Sequence, residues 1–218
     1  MKSYYMLMAS LPPLPSDFDA APNPITAPTL RNRLLLLDDH DSHVVDQLAN
    51  FFRWDRQPVD RSEAEVIQKH RQLRKEVHNS LVRKLIHDRF KMRTLVAAVR
   101  CQRDGLPMPM LPDMSVSDSI RRHWNQPFFQ LSTREPWLEK FCQALDERQP
   151  RLAQRYLFEA RWQRWTRLSQ QYHFSFESVV LYLARWEILH RWSSQDADLG
   201  RQRFDHLVDE ILTETNNH

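Results

Sequence analysis

Glycine is nearly missing: two residues in 218, where an average chain has about 7%. Glycine supplies hairpin turns, strand bulges and phosphate-cradling loops. Its scarcity argues against an all-β fold and against P-loop or dinucleotide-binding chemistry, both of which need glycine-rich turns. Cysteine is almost as scarce. Cys101 and Cys142 are too few for a disulfide scaffold or a cysteine-based zinc site, and a reducing cytoplasm is the expected compartment. Long apolar runs are also lacking. No stretch approaches the ~18 residues of a membrane span, and the opening MKSYYMLMASLPPLP is too short for a signal peptide. Charge of one sign does not dominate either. A net charge of +3 and a pI near 9.0 do not demand a nucleic-acid partner.

What is present is helical patterning. Residues 1–11 suit a short strand or one helical turn. Residues 12–28 carry Pro12, Pro13, Pro15, Pro22, Pro24 and Pro28, which predicts a partly extended surface loop. A helical hairpin is expected over 29–37 and 42–54, with the DDHD at 38–41 as its turn. Ser62 and Glu65 fit a capping box, and Gly105 followed by Pro107 fits a helix stop. Between them Leu73, Val77, Leu81, Leu85, Met92, Val96 and Val99 recur at spacings of three, four or seven. One helix over 62–104 would run roughly 64 Å. That exceeds a compact domain's diameter, so the stretch is either a protruding coiled coil or two helices broken near Asn79 and Ser80, and a long or slightly bent helix is the preferred expectation. The Pro- and Met-rich stretch 105–118 marks the best internal boundary. It suggests domains over 1–105 and 106–218, or one continuous domain. Further helices are expected over 116–125, 134–146, 150–172, 175–194 and 199–214, with Ser175 as an N-cap. The expected fold class is all-α: an elongated bundle with a long helix and a C-terminal helical hairpin.

The richest segment is FSFESVVLYLARWEILHRW, 174–192. It is apolar almost all round, so it must be buried against a core or a partner. Its Arg185, Glu187, His190 and Arg191 then need paired surroundings, since a lone buried charge costs several kcal/mol. Glu187-x-x-His190 is the pair used by di-iron bundles, but those need a second such motif and the chain has none. A polar stripe with Glu187 and Arg191 paired along the helix is the simpler account. Asp38, Asp39, His40, Asp41, His43 and Asp46 offer metal-ligand chemistry, but their spacing fits no EF-hand loop and no H-E-x-x-H helix. A solvated acidic turn is the better reading. Arg148, Arg151, Arg155, Arg161, Arg164 and Arg167 interleave with Tyr156, Phe158, Trp162 and Trp165, a composition that suits single-stranded nucleic acid. However, Phe158, Trp162 and Trp165 lie on one helical stripe, as core residues do. A protein-facing role fits Arg, Trp and Tyr better. Neither cysteine has a basic neighbourhood that would activate it. No nucleophile elbow, P-loop or kinase signature occurs. The expectation is a non-enzyme without metal or cofactor.

Three segments in order, SYYMLMASLPPLP (3–15), IHDRFKMRTLVAAVRCQRDGL (86–106) and 174–192 with its trailing GRQRFDHLV, resemble a bacterial family encoded among the genes of V/A-type ATPases. More distantly, the chain is similar to the socket protein of those ATPases, designated C in bacteria and d in eukaryotes, which sits between the membrane rotor ring and the central shaft. The socket protein has helical segments of the form D-x-x-N-L-x-x-x-x-R-x-x-x-x-G. Here Asp88, Arg93-Thr94-Leu95, Arg100 and Gly105 follow it loosely, with Arg93 near the expected Asn. It also has acidic, apolar helices that follow a tyrosine, as Glu187 follows Tyr182. This chain is much shorter than the socket protein, which has three similar helical subdomains. The resemblance implies a non-catalytic, all-α component or assembly factor of a rotary, ion-transporting ATPase, linking central shaft and membrane rotor. Its partners would be V-type ATPase subunits, with no nucleic acid, and it would meet the membrane only through the complex, at the cytoplasmic face of the inner membrane. Asp88, Arg93, Arg100, Arg155, Trp162, Glu187 and Arg191 are the candidate interaction residues. The rival reading is a nucleic-acid-binding helical protein using 148–167.

Overall fold

The structure is a computed structural model. It describes residues 3–19, 23–52 and 62–215, and the side chains within them except those of 51–52 and 196–215. Pro22 of the proline cluster and Trp54, the expected end of a helix, lie outside the described residues. Among the described residues the fold is all-α, with nine α-helices, one 3-10 turn and no strand. The chain divides into two compact units. One comprises Met1–Leu37 with Arg161–His218, the other Asp38–Ala160.

The first unit contains α1 (Tyr5–Ser10), α2 (Ala27–Leu34), the last part of α8 (Pro150–Ser169) and α9 (Phe176–Thr215). The short α1 stops before Pro12-Pro13, which cannot continue it. Thr26 caps α2 by accepting from the Thr29 N–H at 3.4 Å, and Pro28 sits in the first turn, where its missing donor costs nothing. On α9, Val179, Val180, Leu181, Tyr182, Ala184, Trp186, Ile188, Leu189 and Trp192 are all buried. The helix is therefore wrapped on most sides, as its composition requires. It runs unbroken through Ser194 and Leu199, which corrects the expected C-terminal hairpin. The stretch SSQDADLG contains no proline, and weak helix formers alone do not stop a helix. Ser175 precedes the helix, and its carbonyl accepts the Ser178 and Val179 N–H groups. Its hydroxyl is buried without a hydrogen-bond partner, so the expected side-chain cap is absent. Ser178 Oγ donates to the Ser175 carbonyl instead, at 2.6 Å.

The second unit holds α3 (Asp39–Phe52), α4 (Glu63–Glu76), α5 (Ser80–Arg103), α6 (Ser115–Arg122), the 3-10 turn Pro127–Gln130, α7 (Trp137–Asp146) and the first part of α8. The Ser62–Glu65 capping box is present in both directions. The long helix expected over 62–104 is two helices. The chain turns extended at Val77, and Asn79 caps the restart by accepting from the Val82 N–H at 3.1 Å. Val77 and Leu81 are both buried, so the apolar rhythm continues across a break it cannot reveal. Leu85, Ile86, Phe90 and Leu95 of α5 form the centre of this core with Ile120, Phe129, Leu138 and Phe141. Each such side chain contributes about 1.5–3 kcal/mol when fully buried. Glu135 is the core's buried carboxylate, ion-paired with Lys91 and accepting the Trp137 indole N–H at 2.8 Å. A buried charge persists only when compensated in this way. Residues 105–114 join α5 to α6 inside this unit, and Gly105 closes α5 at φ +67°, a conformation that favours glycine.

Candidate functional site

The first unit is organised around a proline-rich strap, of which residues 11–19 and 23–25 are described. Leu11 and Leu14 each precede a proline, as Pro12 does, and a residue before proline is confined to extended conformations. Leu11 has φ −90° and ψ 130°. Leu11, Phe18 and Ile25 are buried at seven-residue intervals. Each stretch of strap is held by a side chain from the C-terminal helices. The Tyr182 hydroxyl donates to the Pro12 carbonyl at 2.9 Å, and Arg185 Nη2 donates to the Pro15 carbonyl at 3.4 Å. The Trp162 indole N–H donates to the Ser16 carbonyl at 2.8 Å, and that of Trp186 to the Ile25 carbonyl at 2.9 Å. Phe18 packs against Trp162 at 6.1 Å and edge-on to Trp192 at 5.5 Å. The Arg185 guanidinium lies 4.6 Å above the Trp162 ring, a cation–π contact strengthened by burial. Burial pushes the Tyr182 phenol up to about 12, against the pull of neighbouring Arg185.

The N-terminus is anchored beside the strap. The Tyr4 N–H donates to the Phe174 carbonyl at 2.5 Å, and Tyr4 meets Phe176 at 6.5 Å. Tyr5 packs on Phe174 at 4.8 Å. Tyr5, Met6, Leu35, Leu36 and Phe174 are nevertheless exposed, Met6 at 75%. Large apolar side chains left in water on neighbouring elements characterise protein-facing surfaces.

The candidate interaction residues divide between the units. Trp162, Glu187 and Arg191 belong to the first; Asp88, Arg93, Arg100 and Arg155 belong to the second. Glu187 and Arg191 form an ion pair at 2.6 Å. His190 is exposed and stacks on Trp186 at 4.8 Å, so it joins an aromatic pair rather than the ionic one. Trp162 is buried and structural, as its strap contacts show. Arg93 makes a two-pronged pair with Glu63, at 2.9 and 2.7 Å, and lies over Phe90, tying α5 to the start of α4. Asp88 is half-buried and Arg100 exposed. They stand on one helix about 18 Å apart along its axis, at 1.5 Å per residue, and form no joint cluster. Arg155 is half-buried on α8.

Other sequence candidates resolve into structural roles. Asp38 accepts the Asp41 N–H at 2.8 Å, and Asp39 and Asp41 occupy the first turn of α3. The acidic turn is therefore a helix start, where carboxylates answer the positive end of the helix dipole. No group of three or more potential metal ligands occurs among the described residues. Phe158, Trp162 and Trp165 are buried, so their faces are core surface rather than stacking platforms for bases. Cys142 is pushed up to about 11 by burial and Asp146. Cys101 is also raised, by burial and then by Glu63 and Asp104. Neither thiol is activated at neutral pH. No helix among the described residues is long and apolar enough to cross a membrane.

The features missed at the sequence level are the strap's partners. Tyr182, Arg185 and Trp186 lie 161 to 170 residues from the carbonyls they hold. The available signal was donor-bearing aromatics on one helix and a proline cluster elsewhere in the chain.

Fold and site thus define an all-α protein of two helical units, one closed by a proline-rich strap. The chain belongs to the family described as Protein of unknown function (DUF2764), whose model matches residues 36–215. Comparison with curated proteins and with solved structures gave no match.

Proposed function

We propose that the chain is a non-catalytic helical component or assembly factor of a bacterial V-type ATPase, similar to the socket protein and serving the link between central shaft and membrane rotor. Two of the three segments that resemble the ATPase-associated family, 3–15 and 174–192, are distant in sequence yet pack on each other through Tyr4, Phe174, Phe176, Tyr182 and Pro12. The observation that carries the reading is that these same two segments expose Tyr5, Met6 and Phe174. A paired structural body with an apolar rim suits docking to protein partners. The cytoplasmic face of the inner membrane is the corresponding location. Affinity purification of the tagged chain from its native membranes in mild detergent is the test. ATPase subunits are expected to co-purify; a chain recovered without any of them contradicts the proposal.

A further inference from the structure

We propose that the face formed by α8 and α9 in the first unit is a binding site for an extended P-x-x-P peptide followed by an aromatic side chain. Residues 11–18 occupy it as a built-in ligand, which a proline-rich segment of a partner polypeptide displaces.

The geometry supplies the recognition chemistry. An extended proline-rich chain has about three residues per turn, so the carbonyls of Pro12 and Pro15 fall on the same side. Both accept from α9, through Tyr182 and Arg185 at 2.9 and 3.4 Å. These two donors are three residues apart and so share one helix face. Trp162 continues the series on the Ser16 carbonyl at 2.8 Å. Proline has no N–H to offer a partner, so recognition must come from donors that read its carbonyls, and these three side chains are such donors. An aromatic slot finishes the site. Phe18, 2% exposed, sits between Trp162 and Trp192. Aromatic walls with indole and phenol donors are the chemistry by which grooves recognise extended proline-rich ligands.

The three donors hydrogen-bond backbone carbonyls of the strap, and the one strap side chain the aromatic slot reads is that of Phe18. The donors select the extended conformation and leave the intervening side chains unread, and Pro13, Ser16 and Asp17 are exposed to solvent. A different segment with the same P-x-x-P-x-x-aromatic spacing satisfies every contact. The family match over 36–215 takes in Trp162, Tyr182, Arg185 and Trp192 but none of the strap. This inference does not depend on the ATPase reading.

The test uses the full chain and a fluorescent peptide of residues 10–19. A tethered ligand acts at an effective concentration of about millimolar, so the unaltered chain should bind no peptide at tens-of-micromolar concentration. Phe18→Ala removes the strap's anchor, and that chain should bind the peptide at least about tenfold more tightly. Adding Tyr182→Phe and Trp162→Phe should abolish the gain, as should replacing all three prolines of the peptide, Pro12, Pro13 and Pro15, with Ala. A folded Phe18→Ala chain that ignores the peptide, or that binds the proline-free peptide equally well, overturns the proposal. Should Phe18→Ala fail to fold, the unaltered chain gives the answer by hydrogen exchange. At several millimolar peptide, above the effective concentration of the tether, amides 16–19 should exchange several-fold faster while α9 keeps its protection. Unchanged exchange at 16–19 likewise overturns it.

Discussion

His70 is 3% exposed, its ring stacked 4.0 Å from Phe90, and its Nε2 is buried without a hydrogen-bond partner. Burial first, then Arg74, His87 and Arg71, lowers it from 6.5 to about 4. The facing groups are Arg71 and Arg74 on its own helix and His87 on α5. In the folded chain His70 stays neutral where the unfolded chain takes up a proton. Its stabilising contribution is thus complete above pH 6.5 and is lost as pH falls from there toward 4, by up to about 3 kcal/mol. Urea unfolding at pH 7 and pH 4.5 should show that loss in the native chain and a smaller one in His70→Phe. Equal losses in both would remove His70 as the cause. Arg148 offers a second test. It closes α7 at φ 55°, with Arg148 N–H to the Leu145 carbonyl and Gln149 N–H to that of Ala144. That is the Schellman arrangement, in which glycine is the usual occupant. Arg148→Gly should raise Tm, corresponding to about 1 kcal/mol of relieved strain; an unchanged or lower Tm contradicts the strain. Neither residue was legible in sequence, because a non-glycine left-handed turn leaves no compositional mark and a histidine's burial is set by distant packing. The same holds for Phe128, Phe129 and Gln130, all at positive φ.

Elements were read best where an end carries its own chemistry. Ser62, Glu65 and Gly105 announced the ends of α4 and α5 because caps are local and use few residue types. The break between those helices was visible only as an alternative. Periodicity reports which face is buried, and Val77 and Leu81 are buried on either side of the turn. What breaks the helix is the Asn79 cap, so Asn79→Ala should cost about 1 kcal/mol in chemical denaturation. A loss within a few tenths of zero would show that the break is held by packing instead. The expected interruption near Ser194 failed for the opposite reason. A polar run with a single glycine weakens a helix by about 1 kcal/mol without ending it. The strap was legible as a partly extended proline-rich loop but not in its burial or its partners, because its register is set by donors on distant helices and not by its own sequence.

At the scale of the molecule, the all-α class followed from glycine scarcity and helical spacing. The division into Met1–Leu37 with Arg161–His218, and Asp38–Ala160, did not. A linker looks the same in sequence whether it separates units or joins two helices of one, as 105–114 does. The candidate residues also changed meaning. Arg93 and Trp162 are engaged within their own units, while Tyr5, Met6, Leu35, Leu36 and Phe174 are the large apolar side chains that the first unit leaves exposed among the described residues. The proposed place in a V-type ATPase rests on those side chains and on the resemblance of the segments beneath them. The most direct test is quantitative co-purification from native membranes, comparing the unaltered chain with Met6→Asp/Leu35→Asp. The account predicts ATPase subunits with the unaltered chain and recovery reduced about tenfold or more with the variant, the scale of losing one apolar anchor. An unaltered chain that brings down none of the ATPase subunits would contradict it.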